Sequence, residues 1–124
     1  MYPEVGTISI PPAARDFKRE ELAQFKGEGR VPKGRIDPPI YLGIGGYVFD
    51  VSYGGKANYG IGGGYNFFSG IDASRALAKM SFNEEDLTNP DISDLNDMEK
   101  DALQDWIDKF RDIRKYPIVG RIVD

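Results

Sequence analysis

A chain of 124 residues with 16 basic and 20 acidic side chains, a net charge of −4 and a pI near 4.9 is long enough for one domain with a core, and too acidic to have nucleic acid as its main partner. It contains no cysteine, which excludes disulfides, thiolate metal sites and thiol catalysis, and no histidine, which removes the usual general base and the commonest metal ligand together. At 40% hydrophobic and 12% aromatic the composition is that of a folded protein, and no stretch approaches the ~18–20 apolar residues needed to cross a bilayer.

Residues 1–15, with Pro3, Pro11 and Pro12, read as an extended leader without a signal-peptide pattern, ahead of one domain over residues 16–124. Asp16 is placed to cap a helix over residues 17–26, with Glu20 and Glu21 in its first turn and Phe17, Leu22 and Phe25 on one face, and Gly27 supplies the stop. Residues 27–39 hold three glycines and three prolines and read as a surface loop. Residues 40–44 and 47–51 are strand-like runs joined by Gly45-Gly46, a hairpin signal, and residues 52–55 turn the chain. Residues 56–70 form a permissive loop in which four glycines stand between Tyr59 and Tyr65, and Phe67 and Phe68 follow.

Asp72 is placed to cap a helix reaching Met80, with Ala73, Ala76, Leu77 and Met80 as its apolar stripe. Asn83 opens a short turn through Leu87 that Asn89-Pro90 breaks. The clearest helix follows Asn96, which with Glu99 makes a capping-box pattern. Met98, Ala102, Leu103, Trp106, Ile107, Phe110 and Ile113 keep its period, and Lys109, Arg111, Arg114 and Lys115 load its positive end. Pro117 stops it, and residues 118–123 form a last strand. Short helices interleaved with a few strands, without regular βαβ alternation, give an α+β fold.

The glycine run lacks the Gly-Lys-Ser/Thr ending of a phosphate loop and the acidic partner of a dinucleotide fold. No grouping supplies a hydrolytic nucleophile with its base, and the acidic stretch from Asn83 to Asp97 matches no EF-hand and reads as a solvated face. Of the seven tyrosines, Tyr41, Tyr47 and Tyr53 read as core aromatics. Tyr59 and Tyr65 flank glycines, neighbours that give a packed ring little support, so a ligand role stands beside a packing role for both.

Several motifs belong together: Phe17, Glu21-Leu22 and Phe25-Lys26-Gly27; Gly46-Tyr47-Val48-Phe49-Asp50-Val51-Ser52; Tyr59-Gly60, Tyr65 and Phe68-Ser69-Gly70; Asp72-Ala73-Ser74-Arg75-Ala76-Leu77-Ala78; Trp106, Lys115-Tyr116-Pro117 and Val119-Gly120. Through them the sequence resembles, over about residues 16–123, the membrane-associated progesterone receptor family, a cytochrome-b5-like haem-binding group. The resemblance implies a cytochrome-b5-like α+β fold, with short helices around a small mixed sheet. It also implies ferric haem b held five-coordinate by a tyrosinate in place of two histidines. By motif position the iron ligand is Tyr65, with Tyr59 hydrogen-bonding or lying beside it. Lys115 and Tyr116 approach the haem from the C-terminal part, Lys115 reaching a propionate, and Asp72 positions the loop as a helix cap.

A phenol of pKa about 10 must ionise to ligate, and ferric iron supplies the charge that stabilises the anion. So hard an oxygen prefers Fe(III), which implies a low reduction potential and easier loss of haem on reduction.

The function implied is non-enzymatic: haem binding that supports, or delivers haem to, haem-thiolate monooxygenases of sterol and lipid metabolism, with a haem-stacked homodimer. The alternative is a sterol-binding or scaffold module that does not use haem. The expected location is cytoplasmic or peripheral to endomembranes, since the N-terminal helix that anchors many members in the endoplasmic reticulum is missing. Two further departures are a glycine loop where proline is common, implying a more flexible loop and weaker haem affinity, and a longer segment over residues 27–39.

Overall fold

A computed structural model describes residues 15–123 apart from positions 30, 32 and 36. The leader expected at residues 1–15 lies, except for Arg15, outside the described residues, and Arg15 itself opens a strand. Strands β1 (Arg15–Phe17), β2 (Tyr41–Ile44), β3 (Tyr47–Asp50) and β4 (Ile118–Ile122) form one sheet in the order β1-β4-β3-β2. β1 runs parallel to β4 and the other pairs are antiparallel, so the sheet is mixed. Gly45 and Gly46 turn the β2–β3 hairpin at φ of +61° and +89°, the left-handed pair a two-residue turn requires. The resulting register faces Tyr41 with Asp50 and Ile44 with Tyr47.

The expected cap at Asp16 is corrected. Arg15, Asp16 and Phe17 pair with Gly120, Arg121 and Ile122, so this segment is strand, and the helix that follows is a 3-10 helix over Arg19–Gln24. The Lys18 N–H donates to Glu21 Oε1 at 3.0 Å, so Lys18 stands where Asp16 was expected. Phe17, Leu22 and Phe25 nevertheless gather as predicted, with Phe25 stacked on Tyr41 at 4.5 Å and Val48 and Ile122 beneath.

Helices α1 (Ser52–Tyr59), α2 (Ser74–Lys79), α3 (Glu84–Thr88) and α4 (Asp97–Asp108) complete the domain. The predicted capping box forms: Glu99 N–H donates to Asn96 Oδ1 at 2.8 Å and Asn96 N–H to Glu99 Oε1 at 3.0 Å. α4 continues into a π-helical turn, Lys109–Ile113, closed by Arg114 N–H on the Lys109 carbonyl at 2.8 Å. The wider turn shifts the helix phase, so Phe110 is buried while Ile113 swings into solvent, and Met98 in the first turn is exposed too. α2 is shorter than expected, and Met80 is an exposed left-handed cap at φ 47° rather than part of its stripe.

Leu42, Ile44 and Phe49 from the sheet meet Leu77 of α2 and Leu103, Ile107 and Phe110 of the last helix, all fully buried. Each such side chain contributes about 1.5–3 kcal/mol, which makes this helix-on-sheet layer the main apolar support.

The described residues between 27 and 39 form a loop as predicted, but it is tied down. Arg35 reaches the buried Asp50 carboxylate at 3.3 Å and lies 5.1 Å from the Tyr53 ring centre. Nor is the acidic stretch simply solvated. Arg75 of α2 donates to Asp86 at 2.9 Å, to the Asp91 carbonyl at 3.0 Å and to Asp94, clamping α3 and the following turn onto the helix layer. Asp86 is held below the usual carboxylate range by the Ser81 hydroxyl and then Arg75, and Asp94 by Arg75.

Carboxyls depressed in the folded state add stability above their unfolded pKa, about 4, and lose it as pH falls through the folded values. Thermal melts between pH 3 and 7 should therefore show the melting temperature dropping below about pH 4. Arg75→Met should lower it at neutral pH and flatten the acid dependence. Equal acid slopes in both proteins would refute the clamp.

Candidate ligand site at the tyrosine cluster

The stretch expected as one permissive loop is partly helical. Lys56, Ala57, Asn58 and Tyr59 finish α1, whose kink at Tyr53 and Gly54 is what remains of the turn predicted over residues 52–55. A short 3-10 turn, Asn66–Phe68, follows Tyr65. The Tyr59 carbonyl accepts from Asn66 Nδ2 at 2.8 Å and from Ser69 Oγ at 2.6 Å, and the Tyr65 N–H donates to the Asn58 carbonyl at 2.8 Å. These bonds bind the end of the glycine run back onto the helix that precedes it. Gly60 and Gly63 serve that closure: a Cβ on Gly60 would meet the Lys56 carbonyl, and one on Gly63 would collide with the Asn58 carbonyl, leaving no room for any other residue. At these two positions the glycine serves close approach of backbone to backbone, while Gly62 and Gly64 face open space.

This folding separates the two tyrosines that look equivalent in sequence. Tyr59 is 5% exposed, whereas Tyr65 is 37% exposed. Their ring centres lie 6.1 Å apart, and Tyr65 also touches Phe68 at 5.9 Å and Phe67 at 6.3 Å. Tyr59 packs edge-on to Phe110 at 5.8 Å, and Phe110 packs on Tyr116 at 5.1 Å. Tyr116, 6% exposed, directs its hydroxyl at Gly55, where an added Cβ would lie 3.0 Å from it and 3.2 Å from the Tyr59 ring. Gly55 is thus the gap that lets both rings reach the same place.

Burial pushes the Tyr59 phenol well above its ordinary range, the phenols of Tyr116 and Tyr65 push it further, and Arg114 offsets part of this. Tyr59 therefore stays protonated and able to donate a hydrogen bond.

Three of the five residues predicted for the site come together through ring contacts, Tyr59 with Tyr65 and, by way of Phe110, with Tyr116; Lys115 precedes Tyr116 in the chain without a described contact to the rings. Lys115 is exposed and holds a left-handed φ of 54°, rare for a residue with a side chain. The Tyr116 N–H closes the helix end on the Phe110 carbonyl at 2.9 Å.

Asp72 shares none of these ring contacts. Its buried carboxylate accepts from Ser74 Oγ at 2.9 Å and from Arg19 Nε at 3.0 Å, fixing the start of α2 one residue beyond the predicted cap. Sequence reasoning missed Asn66 and Ser69 as staples of the Tyr59 carbonyl. Their only signal was two polar side chains set among aromatics.

A cavity of about 270 Å³ lies beside the Arg19–Asp72 pair, walled by Ala23, Ile71, Leu87 and Pro90. Among the described residues no group of three or more acidic side chains is arranged to hold a metal, and no helix is long and apolar enough to cross a membrane.

No protein-family model matches the chain. Curated relatives do. The Arabidopsis thaliana protein named "Probable steroid-binding protein 3" is 47% identical over 108 residues, which cover 87% of this chain and 98% of that protein. The human protein named membrane-associated progesterone receptor component 2 is 38% identical over 88% of this chain, and the Schizosaccharomyces pombe protein named cytochrome P450 regulator dap1 is 41% identical over 90%. The matched regions cover 45% and 65% of those two proteins, so the chain spans only part of their length. An Arabidopsis thaliana structure described as having a cytochrome b5 like fold aligns at a TM-score of 0.72 and 43% identity, over 95% of this chain and 99% of its own. Identity at this level across nearly the whole of one relative, joined to the shared fold and the small mixed sheet with its short helices, makes the chain a member of the membrane-associated progesterone receptor family, with a cytochrome-b5-like domain.

Proposed function

We propose that this chain is a haem-binding protein whose Tyr65 phenolate ligates ferric iron, with Tyr59 as its hydrogen-bonding neighbour and Tyr116 and Lys115 beside it. The observation that carries the reading is the asymmetry of the cluster: three tyrosines converge, two are buried, and of the three only Tyr65 is exposed. The donor set fits the group. A chain without histidine or cysteine has oxygen as its natural ligand for a hard ferric ion, and Phe67 and Phe68 supply an apolar flank. Bound there, haem b would contribute a five-coordinate ferric centre of low potential.

The chain's own groups have distinct tasks in this reading. Protonated Tyr59 donates to the phenolate oxygen and spreads its charge. Gly55 keeps Tyr59 and Tyr116 in register, and the Asn66 and Ser69 bonds hold the loop so that Tyr65 faces outward. Asp72 acts at a distance, by fixing the segment that follows Gly70.

The role that follows is non-enzymatic support of, or haem delivery to, haem-thiolate monooxygenases. The P450-regulator name of the Schizosaccharomyces pombe relative favours it, and the exposed face at Tyr65 leaves room for two chains to meet through their ligands as a stacked homodimer. A second reading, sterol binding without haem, is favoured by the steroid-binding and progesterone-receptor names and by the apolar-walled cavity beside Arg19.

Titrating haemin into purified protein separates the two. One equivalent per chain, a broad Soret band and a high-spin ferric charge-transfer band, weakened on reduction with dithionite, are expected. Tight sterol binding with no haemin uptake would overturn the haem reading in favour of the second.

A further inference from the structure

The loop over residues 27–39 reads in sequence as a plain surface segment, yet its described residues grip α1, the helix that ends in Tyr59. Its base is closed by Gly27 N–H on the Pro39 carbonyl at 3.1 Å, beside Tyr41 N–H on the Phe25 carbonyl at 2.9 Å. From there two ion pairs reach toward α1. Arg35 Nη1 stands 3.3 Å from Asp50 Oδ2, and Lys56 Nζ stands 3.1 Å from Asp37 Oδ1.

The two pairs bracket a break in the helix. At Tyr53 (φ −103°, ψ 119°) and Gly54 (φ 86°, ψ −19°) the chain leaves helical geometry, a place where a helix end can swing unless side chains span it. Ahead of the break Asp50 holds Ser52, accepting from its N–H at 3.0 Å and from its hydroxyl at 2.5 Å. Beyond it lie Gly55, the gap that admits Tyr59 and Tyr116, and Tyr59 itself. Arg35 spans the break: its guanidinium pairs with Asp50 and lies over the Tyr53 ring.

A second feature marks this arginine. Its Nε and Nη2 are buried and have no hydrogen-bond partner among the described residues. Unmet buried donors are destabilising, and an unconstrained surface arginine would turn its fork to water. The charge of Asp50, whose side chain is 7% exposed, holds it inward.

We propose that Arg35 is a positioning residue for the tyrosine site: it pins the break in α1 through Asp50 and Tyr53, and so sets where the Tyr59 hydroxyl stands relative to Tyr65. The inference rests on the haem reading above and adds to it a residue that none of the family motifs contains. The Asp37–Lys56 pair is a lesser tether, because both of its groups are exposed.

Amide hydrogen exchange of the haem-free protein reads the pin, and haemin titration reads its effect on the site. Arg35→Met keeps the apolar stem and removes the fork. It should speed exchange across residues 54–60 about 10-fold, with α4 unchanged as the internal reference. It should also lower haemin affinity about 5- to 10-fold and shift the ferric charge-transfer band. Arg35→Lys, which keeps the charge, should restore most of both, and Lys56→Met should change affinity by less than about 2-fold. Arg35→Gln, still able to donate to Asp50, gives the same readouts in weaker form if Arg35→Met does not fold. In a Tyr59→Phe background the band should no longer respond to Arg35→Met, since the hydroxyl being positioned is gone. Unchanged exchange at residues 54–60 in a protein that takes up haemin, or a band that moves equally with and without the Tyr59 hydroxyl, overturns the proposal and leaves haem binding standing. If the unmodified protein takes up no haemin, the haem reading falls and the proposal with it.

Discussion

Replacing Tyr65 with Phe is expected to abolish the high-spin charge-transfer band of haemin-treated protein and to weaken haemin uptake by about 100-fold or more. Loss of an outer neighbour of a metal ligand already costs about 10- to 100-fold, and loss of the ligand itself must exceed that. The substitution removes one hydroxyl from an exposed residue and keeps the ring contacts with Tyr59, Phe67 and Phe68, so stability should change by less than about 0.5 kcal/mol. Tyr59→Phe is the informative companion. Its ring stays packed on Phe110, but the donor to the phenolate is gone, so the band should shift and affinity fall about 10-fold without being lost. Reversal of the two effects would exchange their roles.

The second large effect is expected at Phe110, a residue that serves core and site at once. Its buried ring touches Phe49 at 5.5 Å, Tyr59 at 5.8 Å, Trp106 at 6.2 Å and Tyr116 at 5.1 Å. Phe110→Ala should cost about 3–5 kcal/mol, the transfer term for a buried ring plus the cavity it leaves. For a domain of this size that lowers the melting temperature by at least about 12 °C. Because Tyr59 and Tyr116 lose the ring that both pack against, haemin affinity should fall even at temperatures where the variant is folded. Phe110→Leu should recover most of the stability and less of the affinity. Urea unfolding gives the first quantity and haemin titration the second. A cost below about 1 kcal/mol for Phe110→Ala would show that the two tyrosines are held by something else.

Local signals were readable from the sequence and distant ones were not. Gly45-Gly46 and the Asn96–Glu99 pair act over two to four residues, and each does in the fold what its spacing implies. Asp16 misled because its place is set by Arg121, a strand partner at the far end of the chain, and pairing between such segments leaves no local trace. The Arg75 clamp is equally silent, since Asp86 and Asp94 are ordinary surface acids until α2 brings the guanidinium to them.

At the site, motif position selected Tyr59, Tyr65, Asp72, Lys115 and Tyr116 as a group, and of these the three tyrosines come together. The difference between the two paired tyrosines was not legible. Both border the same glycines, and glycine-rich sequence argues against the helix that in fact ends at Tyr59. Bonds from Asn66 and Ser69 to the Tyr59 carbonyl, and the packing of its ring on Phe110, override that propensity and bury one phenol while leaving the other exposed.

Resonance Raman spectroscopy of the haemin-loaded ferric protein tests the central claim most directly, because excitation near the charge-transfer band enhances the ring modes of an iron-bound phenolate. Phenolate modes in the unmodified protein, absent in Tyr65→Phe and present in Tyr59→Phe, are the expected result. A low-spin six-coordinate spectrum without phenolate modes, or phenolate modes that survive in Tyr65→Phe, would contradict it.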